Sequence, residues 1–257
     1  MKKKSIFSEE REKIILSMLE KNGRITIDEL CQHCAISEST ARKQFAAMAE
    51  QNLLMRTHGG AIAVDQDIET KLLSRLEPKR SIAQMAREYI QNGECILLGS
   101  GSTVLELARL MHNTQDTVVI TDSILAANEL MRARDIEVQI CNGIVHGKSG
   151  CVIGSQAQAY FQGISATKCF IGVDGISTEV GITSDNIRVA QVEQKMLGCS
   201  LTTFAMADST KLNRVSFTKI CELEEIDHII TDSNADPAFV EILRGRGITV
   251  TVVDCTL

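Results

Sequence analysis

Four short polar clusters in this chain each follow an apolar run, and each carries groups suited to holding an anion or a polyol. The first, Gly99-Ser100-Gly101-Ser102-Thr103, lies between Cys95-Ile96-Leu97-Leu98 and a helical segment. Glycines let the backbone approach closely, successive N–H groups point inward, and the helix N-terminus adds positive potential; together these favour a phosphate. The second is Thr121-Asp122-Ser123, also between strand and helix, and the third is Asp174-Gly175 after Phe170-Ile171-Gly172. The fourth is Asp208-Ser209-Thr210-Lys211 after Phe204-Ala205-Met206-Ala207. Singly, each also reads as an ordinary turn. Jointly, hydroxyls, carboxylates and a lysine at neighbouring strand ends make a polar pocket suited to a polyol phosphate. The first cluster lacks the third glycine of a dinucleotide fingerprint, and no Gly-Lys-Ser/Thr supplies a P-loop, so a nucleotide is not the expected ligand.

A second chemistry sits near the front. Ser39, Thr40, Arg42 and Lys43 stand near the N-terminal end of a helical segment. Long cations neutralise phosphates or reach guanine edges, while short hydroxyls bond phosphate without bulk, which is what insertion into a DNA groove requires. Residues 53–62 read as two short strands around a tight turn, a wing that brings Arg56 and His58 to the duplex backbone. A three-helix bundle used for protein contacts, with Arg42 and Lys43 merely solvated, fits the same pattern.

The elements that must position these groups follow from periodicity and caps. Ile14, Ile15, Met18 and Leu19 recur at helical spacing between Ser8 and Asn22, with Gly23 as the stop. Thr26 and Glu29 have capping-box spacing and open a second helix of about eight residues. Ser37 offers an N-cap for a third helix that runs to about Gln51, with Phe45 and Met48 on its apolar side. Two short helices joined by a tight turn, behind a supporting helix, describe a helix-turn-helix. Residues 63–78 are polar and acidic until Leu72-Leu73, and Pro78 marks a break, so this stretch reads as a linker. From Lys79 onward strands and helices alternate. Strands are expected at 95–98, 117–120, 137–141, 168–173, 201–207, 227–231 and 249–253, with helices at 81–91, 103–111, 124–131, 190–197 and 237–244. The fold class is therefore α/β: a winged helix-turn-helix over 1–62, then a mainly parallel sheet with helices on both faces over 79–257.

Bulk properties narrow the setting. The 257 residues are 44% hydrophobic with only 2 prolines, as expected of globular domains without long disordered stretches. No run approaches the length of a membrane-spanning helix, and Lys2-Lys3-Lys4 is followed by charged residues rather than an apolar signal, so a cytoplasmic protein is expected. Among nine cysteines only Cys31 and Cys34 form a close pair. Without a second pair or a nearby cluster they read as small helix residues, and neither metal nor cofactor is expected. Residues 1–60 carry a net charge of +2 and the remainder −8, which suits DNA binding at the front only if the cations share one face.

Residues 37–61 resemble the signature of the DeoR family of sugar-catabolism repressors. That pattern places a Ser, a Thr and a basic pair on the recognition helix, then an Arg and Gly-Gly at the wing; Ser37, Thr40, Arg42, Lys43, Arg56, Gly59 and Gly60 fit. Ala41 replaces a usual Ile, Lys43 a second Arg, Gln44 an Asp and Asn52 a Gly. The lost Asp is expected to remove an orienting partner of the basic pair. Residues 79–257 resemble the effector half of the same family, whose architecture is similar to that of ribose-5-phosphate isomerase. The matches are Gly101, Ser102 and Thr103, Thr121 and Ser123, Gly143, Gly172, Gly175 and Ile176, Gly181 with Thr183, and Asp208-Ser209 with Lys211. The resemblance implies that these residues hold the phosphate and hydroxyls of a phosphorylated sugar, and that the partners are an operator duplex and further copies of the chain, as a dimer or tetramer. Departures fall at Gly99 (usually Asp), Asp122 (Asn), Asn142 (Gly), His146 (Arg) and Glu193 (Lys), with Lys195 as the candidate substitute cation. The alternative is a sugar-phosphate isomerase using Asp174 as base and Lys195 or Lys211 as the cation, although its acidic motif is incomplete at Ile176-Ser177.

Overall fold

The computed structural model describes residues 8–22, 24–50, 53–63 and 68–255. The chain divides into two compact units, Met1–Gln66 and Asp67–Leu257.

The first unit runs α1 (Ser8–Asn22), β1 (Arg24–Thr26), α2 (Ile27–Cys34), α3 (Glu38–Glu50), β2 (Leu54–Thr57) and β3 (Gly60–Ala63). Thr26 and Glu29 close the expected box: Thr26 Oγ1 accepts from the Glu29 amide at 3.2 Å, and the Thr26 amide donates to Glu29 Oε2 at 2.7 Å. Ala35, at φ 53°, turns the chain out of α2, and its amide donates to the Cys31 carbonyl. Ile15, Leu19, Leu30, Cys34, Phe45, Met48 and Leu54 form one core, with Cys31 packed at its edge. The three strands pair antiparallel in the order β1-β3-β2, making the wing. Gly23, Gln51 and Asn52 lie outside the described residues.

The second unit opens with α4 (Ile68–Leu73), α5 (Leu76–Glu88), β4 (Cys95–Leu98), α6 (Ser102–Leu110), β5 (Thr117–Thr121), α7 (Ile124–Leu130) and β6 (Ile136–Ile140). It continues with β7 (Ile144–His146), β8 (Cys151–Ile153), α8 (Ser155–Tyr160), β9 (Ala166–Gly172), β10 (Gly175–Ser177), β11 (Gly181–Ser184) and α9 (Ile187–Leu197). It ends with β12 (Ser200–Met206), β13 (Thr218–Cys221), β14 (His228–Asp232), α10 (Pro237–Gly245) and β15 (Thr249–Val253). Seven of these strands form one parallel sheet in the order β15-β14-β12-β9-β4-β5-β6. Alternate strand residues face opposite ways: Ile96, Leu98, Phe170 and Phe204 pack against α5 and α6, while Leu97, Cys169, Ile171 and Ala205 pack against α9 and α10. Phe170 and Phe204 stand opposite in register and stack at 4.5 Å.

The segment expected as a linker is only partly one. Ala63 closes β3, α4 spans 68–73, and α5 begins at Leu76, five residues before the expected helix start. The cause is local. Ile68 is buried, and its amide donates to the Lys148 carbonyl at 2.8 Å. Pro78 lies in the first turn of α5, where no helical amide partner is needed. The hairpin β7–β8 and the antiparallel sheet β10-β11-β13 were also not expected, because strands of three or four residues carry too little alternation to register.

Gly60 pairs with both Thr26 and Thr57, and a methyl on it would stand 2.1 Å from the Ile25 carbonyl oxygen, whereas Gly59 faces open space. Gly60→Ala is therefore expected to destabilise the first unit by about 1–3 kcal/mol. Gly59→Ala should change it by less than about 1 kcal/mol. Thermal unfolding followed by circular dichroism separates the two; equal effects would remove the close approach as the reason for the glycine.

Candidate functional site

On α3 the buried positions are Ala41, Gln44, Phe45 and Met48, so the opposite face is left to Ser39, Arg42, Lys43 and Ala46. These four, with Glu38 and Arg56 from β2, line an open concavity of about 470 Å³. Three cations from two elements thus share one exposed surface, the arrangement that the net charge of the unit left undecided. Arg42 is held by Glu38 one turn earlier, at 3.4 Å. Ser37 acts as the cap: its Oγ accepts from the Thr40 amide at 3.3 Å and lies 3.0 Å from Thr40 Oγ1. His58 is exposed in the turn between β2 and β3. Position 44 requires a correction. Gln44 points inward, where its Oε1 accepts from Ser8 Oγ at 2.9 Å and from Arg11 at 3.3 Å. A carboxylate there would meet α1 rather than the basic pair; Glu38 is the group that orients Arg42.

In the second unit the strand order reverses between β4 and β9, and ligands of such sheets bind beyond the carboxyl ends at the reversal. The loop Gly99–Thr103 leaves β4 at that point. The Gly99 amide donates to the Phe170 carbonyl at 2.9 Å, and Gly172 of β9 lies so close that a methyl on it would stand 3.1 Å from the Ser100 carbonyl oxygen. Gly101, at φ 120°, caps α6 with no side-chain acceptor, which leaves the helix N-terminus to Ser102 and Thr103. Both hydroxyl residues are buried, as is Ser100.

Across the reversal Asp174 leaves β9 amid charges. Lys71 of α4 reaches Asp174 at 3.1 Å and Asp185 at 2.7 Å, Lys211 lies 3.8 Å from Asp174, and the Asp185 amide donates to Asp174 at 3.1 Å. Burial pushes the Asp174 carboxyl up, but the ammonium groups of Lys71 and Lys211 outweigh it and hold it below the usual carboxylate range. Burial likewise lowers Lys71, and its two aspartates reverse that and raise it. Arg75 pairs with Asp208 at 3.3 Å. Lys79, pushed down by burial to about 8, donates to the carbonyls of Lys71 and Ser74 and so ties the end of α4 to α5. The expected linker therefore supplies two cations of the site, Lys71 and Arg75, which sequence reading missed.

Several expected ligand residues also hold the local structure. Thr121 Oγ1 accepts from the Ser123 amide at 2.9 Å, and Ser123 Oγ caps α7. Thr183 donates to the Gly175 carbonyl at 3.1 Å and accepts from the Ser216 amide at 2.9 Å. Gly175 is required because a methyl would stand 2.6 Å from the Arg214 carbonyl oxygen, and Gly143 because one would stand 2.6 Å from that of Ile153. Asp208 caps the turn Ser209–Lys211. Lys195 is corrected: it is exposed on α9, two positions and roughly 200° round the helix from Glu193, which faces inward. Glu193 lies against Gly99, where a methyl would come within 3.3 Å of its Oε1. Asp122 is fully buried, and neither of its carboxyl oxygens has a partner from another of the described residues. Burial pushes Asp122 up to about 7, and burial, then Asp122, Asp174 and Asp185, push Glu193 well above its usual range.

A DeoR-like helix-turn-helix domain matches residues 11–67, and a DeoR C terminal sensor domain matches residues 74–233. The HTH-type transcriptional repressor GlcR of Bacillus subtilis (strain 168) is 34% identical over 254 residues, which cover 97% of this chain and 98% of that protein. The HTH-type transcriptional regulator GolR of Listeria innocua is 28% identical over 254 residues, covering 97% and 100%. Among solved structures, ribose 5 phosphate isomerase A from Neisseria gonorrhoeae aligns with a TM-score of 0.40 and 17% identity over 54% of this chain and 53% of its own, a likeness too distant to carry an activity.

An aspartate that keeps its proton in the folded chain up to about 7, against an ordinary value of 3.8, loses stability as pH rises through that window, because the unfolded chain ionises first. Asp122→Asn is therefore expected to melt higher than the parent at about pH 8 and to converge with it at about pH 4. A melting difference independent of pH would show that Asp122 is not held protonated.

Proposed function

The chain belongs to the DeoR family of transcriptional repressors, and from that premise we propose that it represses a carbohydrate-utilisation operon in the cytoplasm and is released or modulated by a phosphorylated sugar. The observation that carries the DNA half is the convergence of Arg42, Lys43 and Arg56 on the exposed face of α3. These cations contact phosphates or guanine edges, and Ser39 and His58 stand on the same side of the helix and at the wing turn as further contacts. Copies of the chain associate through the second unit, as a dimer or tetramer, so that paired recognition helices meet repeated half-sites. Exposed Ile144 and Val145, on the hairpin that follows edge strand β6, offer apolar surface for that association.

The effector phosphate docks on the amides of Ser102 and Thr103 at the start of α6, with Lys211 beside the crevice and Asp208 near the sugar hydroxyls. The element it disturbs is α4. Lys71 and Arg75 fasten this helix across the strand ends, and only residues 64–67 separate α4 from the last wing strand. An anion that competes for Lys71 loosens α4 and shifts the population away from the DNA-competent arrangement, by no more than its differential affinity for the two states. The isomerase reading loses support at Asp174, because a carboxylate held below its ordinary range by two lysines is a poor proton acceptor.

Operator binding measured with and without sugar phosphates tests the switch. Arg42→Ala should cost about 1–3 kcal/mol of operator affinity at fixed salt, and unchanged affinity would overturn the DNA contact. Lys71→Met, remote in sequence from α3, should weaken operator binding in the absence of effector by a factor of about 5 or more. A folded Lys71→Met protein with parental affinity would remove α4 from the mechanism.

A further inference from the structure

Two buried acids at the crevice have no role in what has been described. Glu193 is 2% exposed, presents its carboxyl to Gly99 at the head of the phosphate-loop turn, and leaves Oε2 without a hydrogen-bond partner among the described residues. Asp122 is 0% exposed at the end of β5, the strand paired directly with β4, and leaves both oxygens without a partner from another of the described residues. Cys151 of β8 bridges to Ser123, the neighbour of Asp122, and the Val152 amide donates to the Asp122 carbonyl at 2.8 Å. Both carboxyls lie within electrostatic reach of the Cys151 thiol and, after burial, help to push it up. The nearby cations do not satisfy these acids: Lys71 is bonded to Asp174 and Asp185, Lys211 pairs with Asp174, and Lys195 faces away.

Buried acceptors without donors are costly, and they concentrate where something else supplies the donors. Three carboxyl oxygens lack a hydrogen-bond partner from another of the described residues: two on Asp122 and one on Glu193. The complementary group must donate several hydrogen bonds from one small centre and must tolerate two carboxyls that disfavour each other's charge. A sugar hydroxyl donates one hydrogen bond and brings no charge. An ammonium donates three and neutralises an acid. Gly99 gives the Glu193 carboxyl room at the turn: a first side-chain carbon there would stand 3.3 Å from Glu193 Oε1 and 3.1 Å from the Ile171 side chain.

We propose that the crevice is specific for a sugar bearing an ammonium group, with Asp122 and Glu193 as the residues that receive it. Resting on the reading above, the phosphate of that sugar lies at the amides of Ser102 and Thr103, so the ligand class is a phosphorylated amino sugar. The preference is set by charge and donor count together, and the isosteric amides Asn and Gln keep the shape while removing the charge.

Calorimetric titration of the full chain with matched pairs tests this: glucosamine 6-phosphate against glucose 6-phosphate, and galactosamine 6-phosphate against galactose 6-phosphate, with unphosphorylated glucosamine and inorganic phosphate alongside. The amino member of at least one pair is expected to bind about tenfold more tightly or better. The double substitution Asp122→Asn and Glu193→Gln should erase that preference, bringing the affinities of the two members of the pair together. Equal affinities within both pairs overturn the proposal, as does a preference that survives the double substitution. Binding of glucosamine with none of inorganic phosphate would keep the ammonium site and remove the phosphate from the functional reading. No binding by any amino probe overturns the ammonium site, whatever inorganic phosphate does.

Discussion

Strand β4 enters the parallel sheet at its middle, and the chain then builds outward in both directions, β5 and β6 on one side and β9, β12, β14 and β15 on the other. The connections leaving β4 and β9 must therefore part company, and the gap between them is the one place where backbone amides, a helix N-terminus and side chains from several strands converge. The polar clusters at the carboxyl ends of the strands gather around that gap. Gly99–Thr103 leaves from β4, Asp122 from β5, Asp174 from β9, Asp208 from β12 and Asp232 from β14, the last accepting the Ser209 amide at 2.6 Å. The two helical layers only hold the gap open; they contribute its apolar walls and, through α9, one acid.

Charge at this gap is dominated by carboxylates, and the chain balances them with α4. Lys71 is the donor shared by Asp174 and Asp185, and Arg75 serves Asp208. An ion pair buried to this degree is weak evidence of net stabilisation, since desolvation cancels much of the attraction, but breaking one side of it leaves a buried charge exposed to the full cost. That asymmetry suits a fastening that a competing anion can undo. It also places the fastening at the first residues of the second unit, next in the chain to the wing.

Much of the fold was legible because local signals and global fold agree. The capping box at Thr26 and Glu29 fixed the start of α2, and the apolar runs of β4, β5, β9, β12, β14 and β15 were long enough to read within one or two residues. What was not legible depended on contacts between distant parts of the chain. Ile68-Glu69-Thr70-Lys71 looks like linker until a buried site for Ile68 and two aspartates more than a hundred residues away make it a helix. Thr121, Ser123 and Thr183 were read as ligand groups by type and position; each hydroxyl also accepts from a nearby amide, a use that the residue type alone does not reveal. Gln44 and Lys195 were misplaced for a simpler reason: the helix face decides what a side chain meets, and a shift of one or two positions turns it to the other side.

The departures from the family pattern at 99 and 193 behave as one change. A side chain at 99 would press on the Glu193 carboxyl, with 3.3 Å between Oε1 and its first carbon. An aspartate at 99 facing a lysine at 193 is a balanced pair, and an aspartate facing Glu193 would be two acids in contact, so replacing the lysine by glutamate demands the loss of the acid at 99. Glycine meets that demand by removing the side chain altogether, and the loop geometry survives because the close approach to Ile171 already favours a small residue there. Asp122 adds a second acid within electrostatic reach, where the family pattern has a neutral amide. Two positions, 122 and 193, thus carry acids that the family pattern lacks, while 99 gives up the acid that the pattern has, and the turn that leads into α6 is kept. The glycine turn, the uncapped helix start and the two buried acids are mutually compatible, which is what the proposed ligand requires.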